Sequence, residues 1–283
     1  MQSVLHKAVG PKEVHPENLN GRVAVVTGGA LGIGRALALA GVKVIMVNRK
    51  EEQGSDAIEA IRKEKADAQV EWKHCDMGNL KEVKEVFTEI RNSLDRLDFL
   101  LWPLLRKTGK LDEKPAPRVV FESSEMHRGA PPDVHFGSLE EINDSSIGPT
   151  RLYARTKLAM ILFAKFGLRD RVIKPNGDNV YAISVHPGAV NTAMQQQWKD
   201  AYPGITGKLL SNAMLFAGRD ALTSQEIEDK DLNGYYFNDP GQPGKETSQA
   251  SDEKLGASLW DLSERIVKDK LGSDALLDWS AKE

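Results

Sequence analysis

Cysteine is almost absent: Cys75 is the only one, so no internal disulfide can form and a reducing compartment fits. No apolar run approaches the ~18 residues needed to span a bilayer. The first twenty residues, rich in Lys, Glu, His, Pro and Asn, lack the apolar core of a secretory signal. There is no basic block of about five residues, and the net charge is only -3, so neither phosphate backbones nor anionic lipid are attracted at long range. These absences point to a cytoplasmic location and away from nucleic acid, and they predict no integral membrane segment. No set of residues with metal-ligand spacing stands out. What remains is ordinary: 28% charged and 40% hydrophobic residues in a chain of 283 can build a sizeable core.

That length suits one α/β unit, with residues 1-20 as an irregular arm and 21-283 as a single catalytic domain. Arg22 to Val26 is a short apolar run stopped by Thr27-Gly28-Gly29, as expected for a buried parallel strand entering a tight turn. Val42 to Val47, Val70 to Cys75, Leu97 to Leu101, Val119 to Phe121, Val180 to Val185 and Tyr235 to Phe237 predict six more strands. Ala57, Ile58 and Ile61 mark one amphipathic helix between them. Leu80, Val83, Val86, Phe87, Ile90 and Leu94 mark another. A long helix is predicted over Thr150 to Leu168, and Leu255, Leu259, Leu262 and Ile266 mark a late one. Gly241, Pro243, Gly244 and Ser248 read as a loop. This alternation predicts a doubly wound, mostly parallel seven-stranded Rossmann-type sheet with helices on both faces.

The first strand-to-helix turn carries Thr27-Gly28-Gly29-Ala30-Leu31-Gly32-Ile33-Gly34. Glycines there allow a sharp turn and close approach of the backbone to a pyrophosphate. No Lys-Ser or Lys-Thr follows Gly34, which disfavours a Walker loop and nucleotide hydrolysis. The second strand ends in Asn48-Arg49-Lys50. A carboxylate at that tip would accept from the adenosine ribose hydroxyls of NAD, whereas a guanidinium pairs with the 2′-phosphate of NADP, so Asn48 and Arg49 favour NADP(H) over NAD(H). A solvated basic turn is the plain alternative.

Tyr153 and Lys157 stand at i and i+4, on one helix face about one turn apart. A phenol is a poor base at neutral pH, but a nearby cation favours its ionised form. Such a pair also arises by chance, and its weight comes from company: Ser123-Ser124 follows the predicted fifth strand, and His186-Pro187-Gly188-Ala189-Val190-Asn191-Thr192 follows the sixth. In the order and placement of these motifs, from about residue 20 to 240, the chain resembles the short-chain dehydrogenase/reductase family. The pattern Ser-Ser-x-x-His (Ser123 to His127), together with His186-Pro187-Gly188, is similar to the retinol dehydrogenase and WW-domain oxidoreductase branch. The absence of a WW domain and of an amino-terminal membrane helix weighs against a retinoid substrate and a membrane location.

The resemblance implies an NADP(H)-dependent oxidoreductase of the carbonyl reductase kind, interconverting a small-molecule alcohol and a carbonyl compound. It implies that Ser124 hydrogen-bonds the substrate oxygen, with Ser123 as the alternative serine. Tyr153 would exchange the proton, while Lys157 holds the nicotinamide ribose and lowers the Tyr153 pKa. Thr27, Gly28, Gly32, Ile33 and Gly34 would cradle the cofactor phosphates, Asp76 would lie beside the adenine, and Pro187, Gly188 and Thr192 would approach the nicotinamide. A homo-oligomer is open. The rival expectation is a dinucleotide-binding regulatory or scaffold protein of the same fold that performs no turnover.

Two spacings depart from the family. Only six residues separate Gly34 from Gly41, where a crossover helix should span the sheet. Leu97 to Leu100 should lead into an Asn-Asn-Ala-Gly turn and a helix bearing a catalytic asparagine, but Leu101-Trp102-Pro103-Leu104-Leu105 follows at once. The spacings predict chain interruptions, with Cα separations well above the ~3.8 Å of a peptide link, near Arg35-Ala36 and Leu100-Leu101 and a third near Asp220-Ala221.

Overall fold

Strand β1 (Val23–Thr27) shows why the early apolar runs become a sheet covered on both sides. Val23 and Val25 pack with Ile45, Val47 and Val119 in one core, while Ala24 packs with Val44, Met46, Leu37 and Ile61 in another. Alternate residues of one strand thus enter two cores, which requires helices on both faces. The computed structural model describes residues 19–30, 32–98, 102–111, 113, 116–186, 226–239 and 242–276.

β1 pairs in parallel with β2 (Lys43–Asn48), Val23 opposite Lys43, and β2 in parallel with β3 (Val70–His74), Asn48 opposite His74. β4 (Arg118–Glu122) pairs in parallel with β5 (Tyr181–Val185), and β5 with β6 (Tyr236–Asp239). β7 (Gln242–Pro243) then runs antiparallel to β6, in the stretch that reads as a loop in sequence. Of the expected seven-stranded sheet, the described strands form a three-stranded set, β1-β2-β3, and a four-stranded set, β4-β5-β6-β7, parallel except at β7. Of the expected fourth strand only Leu97 and Asp98 are described, and neither is assigned to a strand. The Asp98 N–H nonetheless donates to the Val23 carbonyl at 2.9 Å, and the Asp98 carbonyl accepts from Arg118 at 2.8 Å. Its main chain bridges the two sets.

The helices follow local rules. α1 (Ile33–Leu39) buries Gly34, Ala36, Leu37 and Ala38. α2 (Glu51–Glu64) begins with Glu51 and Glu52 and ends with Arg62 and Lys63, charges that suit its dipole. α3 (Leu80–Asn92) is capped by Asn79, whose side chain accepts from the Lys81 and Glu82 amides. α4 spans Trp102–Gly109 and α5 spans Leu139–Asn143. α6 (Pro149–Leu162) starts on a proline after Gly148 at φ 82, and continues as a π-helical stretch over Phe163–Ile173 and a last turn over Lys174–Asn176. α7 (Glu226–Asp229) precedes β6, and α8 (Glu253–Leu271) closes the described chain, capped by Asp252.

The expected interruption at Arg35-Ala36 is corrected. α1 is one unbroken helix across it, with the Ala36 N–H on the Gly32 carbonyl at 3.0 Å and the Ala40 N–H on the Ala36 carbonyl at 3.1 Å. The reason is geometric: a crossover includes its turns, and the fifteen residues 28–42 between β1 and β2 meet the minimum of about a dozen. The junctions at Leu100-Leu101 and Asp220-Ala221, and most of the proposed arm at residues 1-20, lie outside the described residues. No helix among the described residues is long and apolar enough to cross a membrane.

Candidate active site

β4 delivers Ser123 and Ser124 to its carboxyl end, and α6 passes beside them with Tyr153 and Lys157 on one face. The two serines divide their tasks. The Ser123 hydroxyl donates to the Lys157 main-chain carbonyl at 2.7 Å, which ties the strand end to the helix. The Ser124 side chain hydrogen-bonds the Tyr153 phenol and also accepts from the Met126 amide at 3.2 Å. Lys157 Nζ lies 5.3 Å from the Tyr153 ring centroid and donates to the main-chain carbonyl of Glu122 at 2.7 Å. The three residues singled out in sequence are thus adjacent in space. Ser124 is buried, and Tyr153 and Lys157 are half-buried.

Burial decides the electrostatics. It raises the Tyr153 phenol above its ordinary value; the Ser124 hydrogen bond draws it back and the Glu122 charge pushes it further up. Burial also lowers Lys157, against the stabilising pull of Glu122. The net direction for Tyr153 is upward, with burial its largest cause, while the Lys157 ammonium lies over the ring and is held by the Glu122 carbonyl. Sequence reasoning missed Glu122, whose only signal was its adjacency to Ser123.

Behind Ser124 sits His127, fully buried, its Nδ1 2.7 Å from the Ser124 carbonyl. Its ring meets Tyr236 edge-on at 5.0 Å, and the Tyr236 hydroxyl donates to Glu125 at 2.8 Å. Burial lowers the His127 pKa, with the Ser124 carbonyl opposing.

At the glycine turn, Gly28 and Gly32 take φ of 66 and 85, and a Cβ on either would meet nothing within 4 Å. A Cβ on Gly34 would instead lie 2.2 Å from the Gly29 carbonyl oxygen, so only glycine fits where the turn folds onto α1. Open space over positive-φ backbone, with tight packing beneath, is a cradle into which a pyrophosphate fits. Thr27 is exposed beside it and Ile33 is half-buried. At the tip of β2, Arg49 is exposed and pairs with Asp76 at 3.6 Å, which brings the two predicted adenosine-side residues together. Asn48 is engaged elsewhere: its Oδ1 accepts from the Trp72 indole at 2.7 Å, and its Nδ2 donates to the Lys50 carbonyl at 3.1 Å. Pro187, Gly188 and Thr192 lie outside the described residues.

A family model described as short chain dehydrogenase matches residues 22–102. Curated relatives include a Neurospora crassa protein named as the mitochondrial oxidoreductase bli-4, 29% identical over 307 residues, with 89% of this chain and 73% of that one covered. The human WW domain-containing oxidoreductase is 26% identical over 301 residues, covering 91% and 71%. An alignment of 307 positions exceeds this chain's 283, so that relative carries residues that this chain lacks. Among solved structures, a short chain dehydrogenase from Pseudomonas syringae superposes with a TM-score of 0.61 at 20% identity, covering 81% of this chain and 98% of that one. A short chain dehydrogenase from Escherichia coli, complexed with NADPH, gives 0.53 at 20% identity, covering 80% and 98%. The chain is thus similar to short-chain dehydrogenases over residues 22–102 and to these named oxidoreductases over most of its length, and it shares the fold of the solved short chain dehydrogenases.

Proposed function

We propose that this protein reduces a carbonyl compound to an alcohol with NADPH, and runs the reverse reaction with NADP, using Tyr153 as the proton donor and acceptor. The observation that carries this reading is the contact of Ser124 with the Tyr153 phenol on a helix that also brings Lys157 over the same ring. Ser124 and Tyr153 together offer two hydroxyls to one substrate oxygen, which polarises a carbonyl and fixes its orientation. A phenol held above its ordinary pKa is protonated at neutral pH, the state required to deliver a proton to an alkoxide. Lys157 places a cation beside the site. The glycine turn and the tips of β2 and β3 would hold the dinucleotide, with Arg49 on a 2′-phosphate and Asp76 nearby. The cofactor when bound supplies the hydride; the chain supplies orientation and the proton.

The test is reduction of a panel of aldehydes and ketones with NADPH, followed by the loss of reduced-nicotinamide absorbance, for the unmutated protein and for Tyr153→Phe. That variant keeps the ring and removes the donor, so turnover should fall at least ~10²-fold while NADPH binding persists. Near-unmutated turnover by Tyr153→Phe would sink the assignment. The second reading, a dinucleotide-binding protein without turnover, is favoured by the brevity of the seven-residue α1. It predicts NADPH binding with no reduction of any substrate in the panel.

A further inference from the structure

The tip of β2 holds two side chains that could read the adenosine ribose, Asn48 and Arg49, and the structure treats them differently. Arg49 is exposed and, among the described residues, makes the long 3.6 Å pairing to Asp76. Asn48 is held at both ends of its amide, Oδ1 by the Trp72 indole N–H at 2.7 Å and Nδ2 by the Lys50 carbonyl at 3.1 Å. Trp72 is itself confined. It lies on β3, opposite Met46 and two residues before His74, whose partner across the ladder is Asn48. A Cβ on Gly54 of α2 would come within 2.3 Å of the Trp72 ring, so the indole occupies the volume that a side chain there would need. The His74 ring meets it edge-on at 6.2 Å. Asn48 therefore cannot turn toward an incoming ribose without breaking a bond to a ring that is packed in place.

We propose that Trp72 is a positioning residue for cofactor selectivity: by holding the Asn48 carbonyl oxygen, it withholds the side chain that would accept the ribose hydroxyls of NAD(H), and leaves discrimination to Arg49. The inference rests on the reading of the protein as an NADP(H)-dependent reductase. It concerns how the chain disfavours NAD(H), which requires that an acceptor be removed as well as a cation supplied.

The experiment measures NADPH and NADH dissociation constants by fluorescence titration for the unmutated protein, Trp72→Phe, Asn48→Ala and the double variant, with melting temperatures as a check on folding. Trp72→Phe keeps an aromatic ring against Gly54 and removes the donor. It should tighten NADH about three- to tenfold, the scale of one hydrogen bond gained, and leave NADPH within about twofold. The gain should vanish in the double variant, because it acts through Asn48. Asn48→Ala alone should move neither constant by more than about twofold, a measurement that stands even if Trp72→Phe fails to fold. A folded Trp72→Phe whose NADH to NADPH ratio is unchanged overturns the inference and leaves the functional reading intact. So does a tenfold loss of NADH affinity in Asn48→Ala. An unmutated protein that binds neither dinucleotide, or prefers NADH, overturns both.

Discussion

Tyr153 and Arg49 are the two residues whose chemistry can be read most directly in solution. Burial keeps the Tyr153 phenol above its ordinary value near 10, so it stays protonated across the neutral range. Carbonyl reduction, which consumes that proton, should then be level in kcat/KM from about pH 6 to about pH 8, whereas alcohol oxidation needs the phenolate and should climb steadily with pH. A pH-independent oxidation rate between about pH 7 and about pH 9 would show that another group takes the proton. Arg49 makes a separate claim. Its guanidinium can pair with a 2′-phosphate by two parallel hydrogen bonds, which an alanine cannot replace. Arg49→Ala should weaken NADPH by about tenfold or more and leave NADH nearly unchanged, read as dissociation constants. Equal loss for both dinucleotides would place Arg49 in general folding or charge rather than in selectivity.

Elements hold the site together through loops as much as through strands. Ahead of α5, the Glu141 carboxylate accepts from the main-chain amides of His135 at 2.8 Å, Phe136 at 3.0 Å and Gly137 at 2.8 Å, fixing a turn in which Phe136 takes a positive φ of 51. Although burial opposes it, these amides hold the Glu141 pKa below its ordinary value of about 4.5. A carboxylate lowered on folding contributes stability that is present above its unfolded pKa and lost as pH falls through the lower folded one. Glu141→Gln should therefore cost about 1 kcal/mol near neutral pH, and the difference from the unmutated protein should shrink as pH drops below about 4.5. Urea midpoints at several pH values check this, and a cost independent of pH would argue against the charge.

What the sequence made legible follows the same division. Strands β1 to β6 could be read because each run is short and stopped by a turn residue, and the proximity of Ser124, Tyr153 and Lys157 because their elements alternate in a fixed order. The Trp72 contact to Asn48, 24 residues away, leaves no local pattern. Nor does the reach of Lys157 to a main-chain carbonyl 35 residues back. β7 reads as loop in sequence because proline and glycine mask so short a strand, and the crossover at α1 looks too short in sequence unless its turns are counted.

At the scale of the whole molecule, the two strand sets are joined at Asp98. Its side chain is only 2% exposed, and its carboxylate accepts from the Arg22 guanidinium at 2.7 Å, from Arg96 at 2.7 and 3.1 Å, and from the Val23 main-chain amide at 2.9 Å. Arg96 extends the network to Glu113 at 2.9 Å, and the Asp98 hydrogen bonding raises the Arg96 pKa. Because the Asp98 main chain also bonds β1 on one side and β4 on the other, it links, among the described residues, the strand that leads into the glycine turn to the strand that leads into Ser123 and Ser124. Removing a buried carboxylate from cationic partners is far more costly than never having built the pair, since their charge stays in place with its counter-ion gone. Asp98→Ala should therefore lower stability by about 3 to 5 kcal/mol, and the damage should appear at both ends of the site. NADPH affinity and kcat should fall together, because the glycine turn on β1 and Ser124 on β4 would no longer be held in register. Asp98→Asn keeps the acceptor oxygen for Val23 and should lose less on every measure. Urea denaturation with parallel NADPH titration distinguishes the cases, and a stable Asp98→Ala with unchanged affinity would mean that the two strand sets are joined elsewhere.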